Sequence, residues 1–414
     1  MACEINHAFP VSQDGPERKR CRDRNFFDSR FAFGQLGRNI VNITPCTSPR
    51  EWKRFEEVAE DLHGSREAFT PPFPGSIAKF LRPDSAFHQR HGEICAMIAS
   101  RGGKPVGRIA AIINRSHNNL YRDKTGFFGF WECEDDPATA RALFDAAARV
   151  LRDRGMDAIR GPYNPSINDE CGLLVEGCGK GSFVGLVWNP DFYQALIEGC
   201  GFRRVCSKYG FDLPLSRLEA PARLGKIVER TAKRSRLILR PIHLDRLEEE
   251  LEIVHEVYNC TLERNWGAVP ISMDDLLSAA DDMRAFADPG MILIAEMNGE
   301  NAGIALSLPN FNELLALTKK TPRWLRLPHI AWLMKMRKID SARQVVYGIS
   351  PRFRDRGGLH AWLLYEQFVC AKDRYHDAQL GWVEESNTEI LENCRLLGAI
   401  QRRTWNIYEK SLVA

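Results

Sequence analysis

The amino-acid sequence predicts an α/β (α+β) protein that contains one unit of strands and helices twice in tandem. Residues 93–114 give a strand, a turn with glycines and a second strand, and residues 291–310 repeat this order around Asn298-Gly299. Residues 193–213 give a helix, a glycine and a final strand, and residues 390–410 do so again. Because the same elements recur in the same order, we expect two domains of one fold.

The spacing of matching glycines supports the repeat. Gly107 and Gly201 are 94 residues apart, and Gly303 and Gly398 are 95 residues apart. At 414 residues the chain has room for two domains of about 150 to 200 residues each. We therefore divide it into a flexible basic tail, a first copy and a second copy, at residues 1–38, 39–216 and 217–414.

Each copy opens with helical periodicity before its hairpin. This segment is PREWKRFEEVAEDLHG, from residue 49, in the first copy and LEEELEIVHEVYNCTLERNW, from residue 247, in the second. The third strand of the first copy, TGFFGFWECEDD, leads directly into the helix PATARALFDAAARVLRDRG. The second copy carries an insertion, residues 311–344, before its strand QVVYGIS.

Composition excludes several classes of protein. A net charge of +3 is too small to indicate nucleic acid as a partner, and no run of 18 apolar residues is present for a spanning helix. Residues 1–38 lack the apolar stretch of a secretory signal. The twelve cysteines include no CxxC pair and no Cys/His cluster with zinc spacing. We therefore expect a cytoplasmic protein with free thiols and no metal site.

The junction between strand and helix in the second copy carries the clearest chemical motif. In GISPRFRDRGGLHAWLLYEQF, residues 348–368, a strand is followed by Arg354, Arg356, Gly357 and Gly358 and then by helical spacing. Glycines let backbone N–H groups approach a ligand, while the arginines and the helix N-terminus attract anions. The first copy has Asp135-Asp136-Pro137 instead, which caps a helix but repels an anion. We interpret the junction as a phosphate-binding turn of the second copy, with a plain turn as the alternative.

With this motif inside a repeat, the sequence resembles the GNAT superfamily of acyl-CoA N-acyltransferases in a tandem form. The signature Arg/Gln-x-x-Gly-x-Gly/Ala is matched by Arg354 and Gly357, whereas Leu359 stands where a small residue is usual. The resemblance implies two GNAT-like domains, each with a mixed central sheet flanked by helices. It also implies acyl-CoA as a co-substrate, with no permanently bound cofactor. The pyrophosphate would lie at the signature turn and the pantetheine arm along Ile349 and Ser350, where a backbone amide polarises the thioester carbonyl.

The resemblance also points to catalytic candidates near the strand AQLGWVEESN. This strand ends at Asn387, where GNAT folds separate two strands to admit the pantetheine arm. Seven residues later the superfamily often has a tyrosine that protonates the leaving thiolate; here the candidates are Cys394, Tyr408 or water. A carboxylate must also take a proton from the amine, and we favour Glu385 over Glu384, since neighbouring strand residues face opposite ways.

The acceptor site is expected beside the first helix of the second copy. The resemblance places the acceptor-binding loop at NCTLERNWGAVPIS, where Glu263, Asn265 and Trp266 are the candidates and a packed turn is the alternative. In the first copy IRGPYNPSINDECGLLVEG is dense in turn-forming residues. Its polar residues, which either face a shared cleft or only build the loop, are Asn164, Asn168, Asp169 and Glu170.

The insertion suggests what kind of acceptor is used. From residue 319 to 343 it holds eight Lys/Arg and one Asp among Trp, Leu, Ile and Met. Such a pattern is typical of peripheral contact with an anionic membrane, which we assign to residues 319–338, or of a groove for an acyl chain. The alternative is a helix pair with its basic face in water. Nucleic acid is disfavoured because the aromatic residues lie among aliphatic ones.

Over residues 40 to 410 the sequence resembles a bacterial family of tandem GNAT-like proteins that includes bacterial ceramide synthases. The matching blocks include GRIAAIIN, RGPYNPSINDECGLLVEG and ERNWGAVP. The resemblance implies an acyl-CoA-dependent N-acyltransferase that forms an amide on a long-chain amine, namely a sphingoid base that becomes a ceramide. The alternatives are acetylation of a small soluble amine and a non-catalytic binding or regulatory protein.

Overall fold

The structure is a computed structural model, and the residues it describes are 40–217, 225, 226, 228–230, 236–262, 265–284, 286–354 and 358–413. The basic tail predicted at residues 1–38 lies outside them. The helices and strands of the first copy are β1 (Val41–Pro45), α1 (Pro49–His63), α2 (Ala78–Leu81), β2 (Gly92–Arg101), β3 (Lys104–Asn114), α3 (Arg115–Tyr121), β4 (Thr125–Cys133), α4 (Pro137–Arg152), β5 (Ala158–Gly161), β6 (Tyr163–Asn164), β7 (Glu170–Cys171), β8 (Leu173–Glu176), α5 (Tyr193–Gly199) and β9 (Arg203–Leu213).

The second copy repeats this order with the insertion that the sequence indicates. Its elements are β10 (Leu237–Pro241), α6 (Leu247–Leu262), α7 (Met273–Met283), β11 (Ile292–Met297), β12 (Glu300–Pro309), α8 (Asn312–Leu317), α9 (Arg326–Met336), β13 (Ser341–Ile349), α10 (Leu359–Lys372), β14 (Asp377–Glu384), α11 (Thr388–Leu396) and β15 (Ile400–Ser411).

Thirteen strands of the described chain join in one mixed sheet that runs through both copies. Twelve of them follow the order β1-β2-β3-β4-β5-β15-β9-β14-β13-β12-β11-β10, and β8 pairs with β15 beside this path. Neighbours are antiparallel except β4 with β5 and β13 with β14, which are parallel. The predicted α/β fold class, with a mixed sheet flanked by helices, is confirmed.

The final strands of the two copies are exchanged. β15 lies between β5 and β9, where Tyr408 pairs with Gly161, so the last strand of the chain sits beside the first copy. β9, the last strand of the first copy, pairs with β14 of the second through Ala378 and Leu213. The division at residue 216 stays a prediction, since residues 218–224 lie outside the described chain.

Alternating side chains fix both faces of the sheet. In β2, Met97 and Ala99 pack in the cluster that includes α4, whereas Ala96 and Ile98 pack in the cluster that includes α1. The start of α1 is set by a capping box between Ser48 and Glu51. Local sequence therefore places the helices, and strand alternation decides which residues face them.

Each parallel strand pair separates after a few residues, which creates a cleft in each copy. In the second copy β13 and β14 pair from Ser341 with Asp377 to Gln344 with Leu380, and no further. In the first copy β4 and β5 pair from Thr125 with Ala158 to Phe127 with Arg160. The two clefts differ in what fills them.

Candidate active site

The cleft between β13 and β14 opens into a cavity of about 850 Å³ that is lined by both copies. Its walls are mostly apolar and include many aromatic rings. These aromatic residues are Phe69, Phe73, Phe80, Phe130, Trp131, Trp188, Tyr193, Tyr258, Trp266, Phe286, Phe311, Tyr347 and Trp382. A cavity of this size and lining suits an organic ligand with a long apolar part.

The strand β13 turns one edge toward this cleft. The Ser350 amide donates to the Ala302 carbonyl of β12 over 2.9 Å. Because amides alternate along a strand, the Ile349 amide faces the other edge, toward the cleft. The Ile349 side chain is buried, and the cavity lining on β13 runs from Arg343 to Tyr347. The predicted pantetheine position at Ile349 and Ser350 therefore lies just beyond the cavity wall.

The turn between β13 and α10 brings Arg354, Gly358 and Leu359 together. The Arg354 guanidinium donates to the carbonyls of Ile349 and Cys260, over 3.1 and 3.0 Å. Gly358 has φ 93°, a conformation that favours glycine, and no side chain caps α10 there. The Leu359 side chain is buried in the core, so a large residue is accommodated at this position. Arg356 and Gly357 lie outside the described residues.

At the end of β14, Glu384 and not Glu385 lines the cavity. The Glu384 carboxylate accepts a hydrogen bond from the Trp266 amide over 2.7 Å and one from the Ser386 hydroxyl. Glu385 faces β9, where its carboxylate accepts from the Ser207 amide and pairs with Arg204 over 3.0 Å. The two neighbours point apart, as strand alternation requires.

Asn387 lies at the cavity, whereas the two acid candidates do not line it. The Asn387 side chain accepts from the Ile390 amide and so caps α11. Cys394 is buried in an apolar cluster, and burial raises the pKa of its thiol to about 12. The Tyr408 hydroxyl donates to Glu198 in the first copy over 3.1 Å, and burial raises its pKa to about 12. The structure does not bring Cys394 and Tyr408 together with Asn387.

The predicted acceptor loop forms part of the cavity wall. Asn265 and Trp266 both line the cavity, and the Arg160 guanidinium lies over the Trp266 ring at 4.9 Å. The Asn168 side chain of the first copy donates to the Val269 carbonyl over 2.8 Å, which ties this loop to the first copy. Glu263 lies outside the described residues.

The first copy supplies polar residues to the same cavity. Asn164, Asn168, Asp169 and Glu170 all line it. The Asp169 carboxylate accepts from the Ser166 hydroxyl over 2.7 Å. Asp169 is exposed to the cavity, and desolvation by the protein around the cavity raises the pKa of its carboxyl group to about 6. Burial raises the pKa of Glu170 as well, against the hydrogen bond from Asn164 and the charge of Arg343.

Three buried cations at the cavity were not predicted. Lys208 on β9 lies 3.1 Å from the centre of the Trp382 ring and is buried. Arg343 donates to the Gly381 carbonyl over 3.1 Å, and burial lowers its pKa to about 10. Arg108 on β3 is also buried. Their signal in the sequence is a cation in the middle of a strand, as in VCSKYGF, VGRIA and ARQVV, because a buried cation is rare unless its charge is used or paired.

In the equivalent cleft of the first copy, backbone amides of β4 are bound by side chains of the same copy, and two of these side chains, Asn164 and Tyr193, also line the cavity. The Glu134 amide donates to the Val106 carbonyl, just as Ser350 donates to Ala302, so Cys133 corresponds to Ile349. The Cys133 amide donates to the Tyr193 hydroxyl over 2.7 Å. That hydroxyl donates to Glu132 and lies 2.7 Å from His63 Nε2.

Two further contacts close this cleft. The Phe130 amide donates to the Asn164 side chain over 2.6 Å. At the helix start, the Asp136 carboxylate accepts from the amides of Ala138 and Thr139 and pairs with Arg101. A carboxylate thus occupies the anion position that the second copy leaves uncapped.

In the described part of the chain, no helix combines the length and the apolar composition that crossing a membrane requires. No three His, Cys, Asp or Glu side chains of these residues are grouped as ligands for a metal ion.

The chain has the fold of tandem GNAT proteins. No protein-family model matches the chain. Among proteins of known sequence, it is 28% identical over 380 residues to a bacterial ceramide synthase of Caulobacter vibrioides. The aligned region covers 90% of this chain and 98% of that protein. It is also 28% identical over 321 residues to protein YghO of Escherichia coli, covering 77% and 82% of the two chains.

Solved structures give the same class of fold. A tandem GNAT protein from the clavulanic acid biosynthesis pathway matches with a TM-score of 0.53 and 12% identity, covering 91% of this chain and 99% of that one. The glucosamine N-acetyltransferase region of a fungal multi-domain β-N-acetylglucosaminidase also matches with a TM-score of 0.53 and 14% identity. This match covers 90% of this chain and 38% of that one. The predicted resemblance to tandem GNAT-like proteins, bacterial ceramide synthases among them, is confirmed.

Proposed function

We propose that the chain is an acyl-CoA-dependent N-acyltransferase that joins a long acyl group to the amine of a sphingoid base, giving a ceramide. The observation that carries this proposal is the separation of β13 from β14 into a large, mostly apolar cavity. The relative named bacterial ceramide synthase, aligned over 90% of this chain, supports the same class of reaction.

Acyl-CoA is proposed to bind at the second copy. The uncapped N-terminus of α10 and the turn at Gly358 offer amides to phosphate oxygens, and Arg354 adds a positive charge beside them. The free edge of β13 offers amides to the pantetheine arm. In the first copy the corresponding amides are held by the side chains of Tyr193, Asn164 and Asp136.

A lipid acceptor is favoured by the lining of the cavity. Burying each CH2 group of a chain contributes about 0.8 kcal/mol, and rings such as Trp131, Trp188 and Phe311 provide the surface for it. The polar end of an amino alcohol would meet Asp169, Glu170 and Asn265 on the same wall. Acetylation of a small amine would leave most of this apolar surface unused.

The reaction requires a neutral amine and a base. The nitrogen lone pair attacks the thioester carbonyl carbon, a C–N bond forms, the C–S bond breaks and the thiolate of CoA leaves. We propose that the proton lost by nitrogen passes to Asp169, whose pKa of about 6 suits a base near neutral pH. The oxygens of Glu384 are held by Trp266 and Ser386, which leaves it as a support for the acceptor loop. Water is proposed to protonate the thiolate.

Both proposed substrates carry long chains that partition into bilayers. We therefore propose that the protein works in the cytoplasm, at the inner face of the cytoplasmic membrane. No permanently bound cofactor is needed for this chemistry.

The test is a reaction with purified full-length protein. Palmitoyl-CoA or acetyl-CoA is mixed with sphinganine or with a small soluble amine, while released CoA and amide are measured. We expect ceramide from palmitoyl-CoA and sphinganine. A preference for acetyl-CoA and the small amine would contradict the proposed lipid substrates and favour acetylation of a small amine. If no pair of substrates gives an amide, the chain is not an acyltransferase.

A further inference from the structure

The insertion of the second copy exposes large apolar side chains on a packed helix. Trp324 precedes α9 and is 79% exposed, and Trp332 on α9 is 54% exposed. Leu327 and Met336 of the same helix are also exposed. Single apolar residues are common at protein surfaces, but a group on one helix marks an interaction site.

Helix α9 has two apolar faces, and the described residues cover only one of them. On the inner face Ile330 and Leu333 pack with Phe311, Leu314 and Leu315. The opposite side is exposed although it is rich in apolar residues, whereas a helix that only covers a domain carries polar residues there. The outer apolar face comprises Trp324, Leu327, Pro328, Ala331, Trp332 and Met336.

Positive charges surround the outer apolar face. Lys320, Lys335, Arg337 and Lys338 are exposed, and the ion pairs between described residues include none of these four. Arg326, by contrast, pairs with Glu60 of α1 over 2.6 Å and holds the segment on the first copy. The segment is thus fixed in place while its outward charges stay available.

We propose that the outer apolar face docks on the surface of a lipid bilayer with anionic headgroups. Tryptophan prefers the depth of the headgroups, and lysine and arginine attract anionic lipids there. A segment of this kind lies in the plane of the interface with its apolar side chains among the acyl chains. A second copy of the chain is a poorer partner, since pairing two such faces brings like charges together.

The helix that carries the docking surface packs against the wall of the cavity. Phe311 and Leu315, which pack with the inner face of α9, also line the cavity. At the cavity wall the ring of exposed Phe73 lies 6.2 Å from that of Phe311. Docking therefore brings this wall close to the lipid, so that a long-chain amine enters directly from the bilayer. This route rests on the proposed function, whereas docking itself does not.

Vesicle binding by the full-length protein tests the proposal. The bound fraction is measured by sedimentation with vesicles of phosphatidylcholine alone or mixed with phosphatidylglycerol, at low and high salt. We expect binding to the anionic vesicles that weakens with salt. Trp324→Ser with Trp332→Ser, and separately Lys335→Glu with Lys338→Glu, should each lower the partition coefficient about tenfold or more.

A matched control changes two exposed apolar residues far from α9 in sequence, Ile238→Ser with Leu244→Ser, and is expected to bind as the parent does. Thermal unfolding of every variant checks that it folds. Unchanged binding by the tryptophan variant, or equal binding to neutral and anionic vesicles, would overturn the proposal. A dimer that dissociates in the tryptophan variant would also overturn it in favour of a second copy.

Catalysis is measured separately, without vesicles, with palmitoyl-CoA and sphinganine dispersed in detergent. Vesicle binding without any amide product would preserve the docking surface and remove the proposed function. Amide product without vesicle binding would preserve the proposed function and remove the docking surface.

Discussion

The two copies form the same cleft and use it in opposite ways. In the first copy the amide of Cys133 is taken by Tyr193, the amide of Phe130 by Asn164 and the start of α4 by Asp136. In the second copy β13 lines the shared cavity of about 850 Å³ with residues 343–347, and α10 begins without a side-chain cap. The first copy thus satisfies internally the groups that the second offers to a ligand.

This difference shows how a binding fold becomes a structural one. Buried amides must find partners, since leaving one unsatisfied costs about 1 to 3 kcal/mol. The first copy meets that requirement with side chains and stays folded without ligand. Its exposed polar residues then become free for another task, and Asp169 and Glu170 line the wall of the shared cavity.

The largest expected effect comes from blocking the second copy alone. Gly358→Val forces a branched side chain into a left-handed conformation at the start of α10, which displaces the amides proposed to hold phosphate. We expect the affinity for palmitoyl-CoA, measured by calorimetry, to fall about 100-fold or more. Gly299→Val is the matched control, because Gly299 has φ 83° in a hairpin turn with open space around it. Binding of two CoA molecules per chain would contradict the prediction, because it would show that both copies bind CoA.

The next effect tests what the first copy contributes to chemistry. Asp169→Asn removes the proposed base, and we expect kcat to fall about 100-fold. In the parent, kcat/KM should rise with pH through about 6, because Asp169 carries a proton below that value and cannot accept another. The variant should lack this rise.

Glu385→Gln is the companion experiment, since the sequence favoured Glu385 as the base. A large loss of kcat in this variant, with Asp169→Asn active, would restore the sequence-based assignment. It would also mean that the first copy supplies only the wall of the cavity.

A smaller effect is expected on stability. Tyr193→Phe leaves the buried Cys133 amide and Glu132 without the hydroxyl, so the free energy of unfolding in urea should fall by about 2 kcal/mol. Affinity for palmitoyl-CoA should stay unchanged. Tyr375→Phe in the second copy is the control, because its hydroxyl makes one long bond of 3.4 Å to Asp288. Loss of CoA binding in Tyr193→Phe would show that the first cleft is part of the site.

The smallest effect concerns the helix start of the first copy. Asp136→Ala removes the cap of α4 and should lower the free energy of unfolding by about 1 kcal/mol. Calorimetry should still give one palmitoyl-CoA per chain, because Tyr193 and Asn164 continue to fill the cleft. A second site in this variant would mean that Asp136 alone closes the first copy.

Local patterns in the sequence predicted the parts of the fold that depend on neighbours along the chain. The hairpin at Asn298-Gly299 and the helix after Gly358 both follow from short-range spacing. The exchange of β9 and β15 could not be predicted in this way. Strands with the same alternation pair equally well with several partners, and the choice is made by packing across the whole sheet.

The candidate site was predictable to the same extent. Trp266, Asn265 and Asn387 line the cavity because their segments adjoin the cleft. The choice between Glu384 and Glu385 depended on which face of the sheet lines the cavity, and the packing that decides this is not local. Lys208, Arg343 and Arg108 reach the cavity from strands of both copies, so only the folded sheet brings them together.

The exchanged strands bear on the history of the gene. With β15 held between β5 and β9, a break near residue 216 would give two polypeptides with open sheet edges, each prone to join another chain. A gene that lost either half would therefore code for an incomplete sheet, and selection would keep the two halves together even if only one of them bound a ligand.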